Sequence, residues 1–289
     1  MRCMVPSAWQ RVSCTAMVKE RQGNMSIIGK VASLWRYPVK SMRGEELDVA
    51  FLGFAGIYGD RLFAFKSAAS PKGFPYLTGR EQQEMLRYRP RFRHPDKAAQ
   101  PPSLADAERL WPGLNVNPMP ADPADLMVDI ETPSGEILAI DDPILIRMLG
   151  ARIDEAHILT LVRSDRAMTD CRPVSLFSVQ TVQQLGKELG TVVDQRRFRA
   201  NVYVDLSSAG GFGEDGLVHR SLRLGSQVVI TILQRDPRCK MITLDPETGV
   251  SNPEFLRQVT EAHDGMAGVY GAVLVEGTLR KGDPIELLD

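Results

Sequence analysis

From Ile27 onward the distribution of apolar residues reads as strand. The run Ile27 to Val39 is dense in β-branched and aromatic side chains, and shorter apolar segments follow at Leu47 to Phe51 and Leu62 to Phe65. Gly53, Gly56 and Gly59 punctuate them, a spacing that predicts a small barrel or sandwich. The stretch from Arg89 to Pro123 holds eight prolines, which predicts an irregular connection with at most one short helix near Ser103 to Leu110. A hairpin is expected over Leu126 to Ile140, with Pro133, Ser134 and Gly135 at its turn.

Three helices carry start and stop signals. Asp142 followed by Pro143 opens the first, which ends at Gly150 and reads as a hinge between two halves. Ser178 caps the second, with Val182, Leu185 and Leu189 on one face and Gly190 as terminator. Asn252 and Pro253 open the third, with Phe255, Leu256, Val259 and Ala262 as its buried stripe before Gly265. Asn201 to Leu206, Gln227 to Leu233, Tyr270 to Val275 and Ile285 to Leu288 read as strands, and Lys281-Gly282-Asp283 as a closing turn. The expected fold class is α+β, β-rich and two-lobed.

Composition narrows the function. The 289 residues carry a formal net charge of −1 with 25% charged residues, so nothing global points to nucleic acid, and any basic site must be local. The apolar stretches fall short of the roughly 18 to 20 residues of a membrane helix. Residues 1 to 24 hold Arg2, Arg11, Lys19 and Arg21 against Glu20 and no apolar core of a signal peptide. They read as a disordered extension before a natural start at Met25, with a weak organelle leader as the alternative. The expected compartment is accordingly the cytoplasm, or an organelle if that leader acts.

Four cysteines, Cys3, Cys14, Cys171 and Cys239, make no CxxC pair, and His94, His157, His219 and His263 are scattered without ligand spacing. No GxGxxG, P-loop, GxSxG or HExxH pattern occurs. Cys239 follows an apolar strand and lies between Arg238 and Lys240, cations that favour the thiolate, the form that binds metals and attacks electrophiles. The competing reading is a small buried hydrophobe. Cys171 opens an apolar run and is expected in the core. The acidic segment Asp245-Pro-Glu-Thr-Gly249 has turn chemistry and is assigned to structure. Lys40, Arg61, Arg80 and Arg199 lie in turns beside β-segments; with Ser41, Thr78 and Asn201 they could form a phosphate and heterocycle site, the Asn201 amide reading a ring edge.

Tyr37-Pro-Val-Lys-Ser41, Gly59-Asp-Arg61, Thr78-Gly-Arg80, Phe198-Arg-Ala-Asn201 and Arg238-Cys239 through Asp245-Pro-Glu-Thr-Gly249 follow one another in an order that resembles the MOSC family. More narrowly, the chain is similar to the branch with an N-terminal MOSC β-barrel domain, typified by the mitochondrial amidoxime reducing component and its bacterial relatives, over about Ile28 to Leu288. The resemblance implies an N-terminal MOSC β-barrel domain over residues 25–140 and a MOSC domain with flanking helices over 141–289. It further implies molybdopterin in a basic cleft between the lobes. Carried over, Cys239 matches the molybdenum ligand and the residue that serves catalysis. Lys40, Ser41, Arg61, Thr78, Arg80, Arg199, Asn201 and Arg238 match positions around the pterin and its phosphate.

The reaction implied is two-electron reduction of a small N-hydroxylated compound, with electrons from a separate donor protein, because the chain offers no cluster cysteines and no flavin or nicotinamide motif. The alternative is a carrier of the molybdenum cofactor or of sulfur without turnover of its own. Three positions depart from the family pattern: Ala200 stands where Pro is frequent, Glu81 where Gln is usual, and Asp236-Pro237 precedes Arg238.

Overall fold

The computed structural model describes residues 26–102, 104, 109, 122–153, 158–207 and 209–288. The opening apolar run becomes β1 (Ser26–Arg36), followed by β2 (Glu45–Leu47), β3 (Val49–Gly53), β4 (Gly56–Ile57), β5 (Phe63–Ser67) and β6 (Arg89–Phe92). The expected hairpin is β7 (Val128–Glu131) and β8 (Ile137–Ala139), and helix α1 (Pro143–Gly150) comes next. The second half contains β9 (Leu159–Arg163), β10 (Val174–Ser178), α2 (Val179–Leu189), β11 (Val202–Asp205), β12 (Ser221–Leu224) and β13 (Val228–Pro237). It ends with α3 (Glu254–His263), β14 (Met266–Val275), β15 (Gly277–Arg280) and β16 (Pro284–Leu288).

Seven strands close into a barrel in the order β11, β10, β14, β13, β12, β16 and β1, because β1 pairs with β16 on one side and with β11 on the other. Closure leaves no free edge in the ring. Its interior is filled by aliphatic residues from alternate strand positions, among them Val31, Leu34, Val204, Leu222, Ile230 and Val269. The first strand of the chain is thus a stave of the C-terminal barrel. β15 returns the compliment in space by pairing with β3, so the lobes interlock across the sequence.

The N-terminal lobe has its own core, in which Val39, Phe63, Phe65, Met85, Ile130 and Leu138 meet Leu145 and Leu149 of α1. That contact, with the β5–β9 pairing, places α1 and β9 on the N-terminal side of the expected division at residue 140. The proline-rich stretch was expected to be irregular, yet its start is strand: Arg89–Phe92 pairs with β7, with Pro90 accommodated within the strand. The short helix expected near Ser103 to Leu110 lies outside the described residues except at Leu104 and Arg109, both helical.

The helix signals act where they stand. Asp142 accepts from the Ile144 amide at 2.7 Å, and Ser178 from the Thr181 amide at 3.0 Å, satisfying otherwise unpaired donors of the first turn. Gly190 ends α2 in the left-handed conformation. The third start is shifted by one residue: Pro253 holds the cap position, while the Asn252 side chain still accepts from the Glu254 amide. Ala262, expected in the buried stripe of α3, is exposed; Phe255 and Val259 alone are fully buried, since the helix covers the barrel with a narrow face.

The turn Asp245–Gly249 is a side-chain-capped loop, with Asp245 Oδ1 accepting from the amides of Glu247 and Thr248. It also joins the lobes, because Glu247 receives Arg43 at 2.6 and 2.5 Å and Arg196 at 2.5 Å. Hydrogen bonds from Arg43 and Arg196 depress the Glu247 carboxyl from 4.5 to about 2. A depressed carboxylate contributes stability above its unfolded pKa, and that contribution is lost as pH falls from about 4.5 through about 2. Glu247 is 46% exposed, so solvent screening holds the effect below about 1 kcal/mol. Glu247→Gln is therefore expected to lower the urea midpoint slightly at pH 7 and to leave it unchanged near pH 2.

Candidate functional site

Several loops converge on one cleft between the lobes that opens to solvent. The first is the turn after β1. The Lys40 amide donates to the Phe63 carbonyl at 2.8 Å, and the Arg61 amide to the Tyr37 carbonyl at 2.7 Å, which ties this turn to the loop before β5. Asp60, itself 1% exposed, accepts from the Tyr37 amide at 2.7 Å and pairs with Arg61. The turn Thr78-Gly79-Arg80 forms the third wall. A Cβ on Gly79 would lie 2.7 Å from Leu86 and 3.1 Å from Met241, so glycine lets this turn reach the loop that carries Cys239.

All nine residues singled out in the sequence line this cleft: Lys40, Ser41, Arg61, Thr78, Arg80, Arg199, Asn201, Arg238 and Cys239. Three of them, Ser41 (φ 64°), Arg61 (φ 47°) and Arg199 (φ 53°), hold the left-handed backbone conformation that side chains other than glycine rarely adopt. Such strain, of order 1–3 kcal/mol per residue, persists only where surrounding structure imposes it and concentrates at functional sites. Here the tied loops impose it.

The wall is strongly basic. Among the described residues it carries Lys40, Arg61, Arg80, Arg172, Arg197, Arg199 and Arg238 against Asp170 and Asp236. Lys40, 4% exposed, pairs with Asp170 and donates to the Met168 carbonyl at 2.8 Å. Burial lowers its pKa despite Asp170, with Arg61 and Arg199 adding to the effect. Arg61 and Arg199 both lie against the Tyr37 ring, their guanidinium carbons 4.8 and 4.3 Å from its centroid. Arg199 makes no hydrogen bond through its side chain to any described residue, and burial lowers its pKa to about 10. Such a desolvated, unpaired cation is a receptor for an anion.

Arg238 is differently disposed. It donates to the carbonyls of Ala267 (2.6 Å) and Phe198 (3.0 Å), pairs with Asp236 (2.8 Å) and lies over Phe177 and Phe198, which stack 4.2 Å apart. Gly268 (φ 76°) makes room for it, since a Cβ there would stand 2.9 Å from its Nη2 and 2.6 Å from Phe177. Its Nε and Nη1 are hydrogen-bonded to the protein, while Nη2, ion-paired with Asp236, has no hydrogen bond among the described residues, so it braces the end of β13 that Cys239 follows. Asn201, 1% exposed, is also a brace. Its amide donates to Trp35 and Asp60 and its oxygen accepts from Ser175, which leaves no unused donor for the ring-edge role expected of it.

Cys239 follows β13 as the cap residue of a short 3-10 turn, Lys240–Thr243, in extended conformation and partly exposed on the cleft wall. The thiol is thus accessible rather than core. Cys171, by contrast, was expected in the core and is exposed. It lies between Asp170 and Arg172 in the irregular approach to β10, where charged neighbours hold the chain at the cleft rim, and burial begins only at Val174. The sequence did not single out Asp170, Arg172, Asp236 or Tyr270 for the site. Of these only Asp236 carried a signal, as a departure from the family pattern. Among the described residues no cluster of His, Cys, Asp and Glu could hold a metal by itself, and no helix is long and apolar enough to cross a membrane.

A closed seven-strand barrel interlocked with a smaller strand-rich lobe, with one thiol on a basic inter-lobe wall, defines the class. The chain belongs to the MOSC family, matching the MOSC N-terminal beta barrel domain over residues 28–108 and the MOSC domain over residues 163–286. Among curated proteins it is similar to mitochondrial amidoxime reducing component 2 of Bos taurus, 25% identical over 96% of this chain and 87% of that protein. It is likewise similar to mitochondrial amidoxime-reducing component 1 of Mus musculus, 23% identical over 97% and 87%. Among solved structures, the YuaD protein from Bacillus subtilis is 13% identical with a TM-score of 0.44, covering 91% of this chain and 97% of that one.

Proposed function

We propose that the cleft holds a molybdenum cofactor, with Cys239 as the protein's ligand to the metal, and that the protein reduces N-hydroxylated compounds of the amidoxime and hydroxylamine type. The observation that carries this reading is the convergence of one accessible thiol with seven cations on a single wall. The donor set suits the cofactor. A soft thiolate matches a thiophilic metal, and Arg199, Arg80 and Lys40 offer charge-assisted donors to a phosphate partly withdrawn from water. Ser41, buried and without a side-chain hydrogen bond to described residues, adds a hydroxyl. Arg61, Asn201 and Arg238 hold these groups in place.

When bound, the cofactor supplies the redox centre; the chain supplies the ligand, the orientation and the electrostatic setting. In the overall reaction an N–O bond breaks, an N–H bond forms and water leaves, with two electrons and two protons consumed. The electrons come from a separate donor protein through a transient contact. The bovine and murine relatives are named for amidoxime reduction, which supports this substrate class.

The experiment supplies cofactor-loaded protein with a chemical reductant and an amidoxime, and follows formation of the amidine. Turnover is the expected result. Loaded protein that turns nothing over while donating cofactor or sulfur to a recipient apo-enzyme would replace the reductase with a carrier.

A further inference from the structure

Reduction of an N-hydroxylated compound consumes two protons for each N–O bond broken, so the cleft needs a group that holds a proton near neutral pH. Among the described residues no histidine lines it. The acidic groups on its wall are Asp170, Asp236, Tyr270 and the Cys239 thiol. Asp170 is ionised against Lys40, whose charge, with that of Arg61 and Arg80, draws its carboxyl below the usual range in spite of burial. Cys239 is assigned to the metal.

Asp236 is placed differently. The register of β13 against β14 shifts between Arg235 and Pro237, so Asp236 occupies an irregularity that breaks the regular alternation of the strand, a device that re-aims a side chain. The residue is 2% exposed and on the cleft wall. Arg238, the residue just past the strand's end, is 2.8 Å away, and Tyr270 on β14, half-buried and also on the wall, is close enough to act on its carboxyl. Asp170 and Arg61 act on it from across the cleft.

We propose that Asp236 and Tyr270 form the proton relay of this cleft: the Tyr270 hydroxyl gives its proton toward the bound substrate and is reprotonated by the Asp236 carboxylic acid, which is refilled from solvent. The proposal rests on the reductase reading above. Each pass moves one proton and no electrons; the electrons come from the separate donor protein. Burial pushes the Asp236 carboxyl up to about 6, against Arg238 and the Tyr270 hydrogen bond, with Asp170 adding to the rise. The acid therefore carries its proton in the lower part of the working range and loses it as pH rises. Burial likewise pushes Tyr270 upward, so its hydroxyl stays protonated. An Arg238 partner without the bulge and without Tyr270 would describe a structural ion pair only. The three together describe an acid with a conduit.

The test has two arms. In cofactor-free protein, infrared pH titration should show a carboxylic C=O band that disappears on raising pH through about 6, absent from Asp236→Asn. In cofactor-loaded protein supplied with reduced viologen and an amidoxime, the wild-type rate should fall as pH rises through the same range. Asp236→Asn and Tyr270→Phe should lower the rate on the order of 100-fold. Asp236→Asn should flatten that limb, and Asp236→Glu should restore it, all at wild-type molybdenum content. Should Asp236→Asn fail to load, Tyr270→Phe, which keeps the ring, decides alone.

An unchanged pH limb in Asp236→Asn, an unchanged rate in Tyr270→Phe, or an Asp236 band that titrates like an ordinary carboxylate would overturn the relay. No turnover by loaded wild-type protein overturns the reductase reading and the relay with it; an infrared band would then mark a buried structural acid.

Discussion

Cys239→Ser is expected to abolish amidoxime reduction, by about a thousandfold or more, while leaving the fold intact. The size follows from what the substitution removes. A serine oxygen is a harder and poorer ligand than a cysteine sulfur for a thiophilic metal, and loss of a metal ligand costs several kcal/mol of the stabilisation on which turnover depends, each 1.36 kcal/mol being about tenfold in rate. The fold is spared because Cys239 is partly exposed and belongs to no core cluster. Substitutions at such positions change stability by roughly 0.5 kcal/mol or less. Thermal unfolding of the two cofactor-free proteins checks this half, and viologen-driven amidine formation the other.

The second large effect is expected at Arg199. Its guanidinium lies 4.3 Å from the Tyr37 ring centroid and makes no hydrogen bond to any described residue, so an incoming phosphate is its natural partner. Hydrogen bonds to charged groups contribute about 1.5–3 kcal/mol, which corresponds to cofactor binding roughly ten- to a hundredfold weaker in Arg199→Ala. Alanine keeps the Cβ at a position with φ 53°, so backbone strain is unchanged. Removal of the cation also relieves repulsion with Arg61. Weaker cofactor retention on gel filtration is therefore to be read as loss of a contact. Unchanged retention would move the phosphate toward Lys40 and Arg80.

The elements legible in the sequence are those governed by local chemistry. Asp142-Pro143, Ser178 and Gly190 mark helix ends because a cap is a contact between near neighbours. Val128-Asp129-Ile130 and its partner strand are visible because a tight turn fixes both. The return of β1 to the C-terminal barrel, and of β15 to β3, is not visible, since strands paired across so much chain leave no local trace.

The site divides the same way. Its nine residues were found through motif order, whereas their separate duties are decided by contacts distant in sequence. Arg238 and Asn201 look like ligand-binding groups in a motif. In the structure they are held by Ala267, Phe198, Trp35, Asp60 and Ser175. Left-handed backbone at Ser41, Arg61 and Arg199 is equally hidden, because neither serine nor arginine advertises it as glycine would. Cys171 stands outside the core because it precedes the apolar run and does not belong to it. The core starts three residues later, at Val174, after two charged neighbours have kept the rim in water.

The most direct measurement is the molybdenum and oxidised-pterin content of the purified protein beside that of Cys239→Ser. Wild type should carry both, and the serine variant should lose molybdenum while its cleft still retains pterin phosphate contacts through Arg199, Arg80 and Lys40. Equal metal in the two proteins would contradict the assignment of Cys239 as ligand.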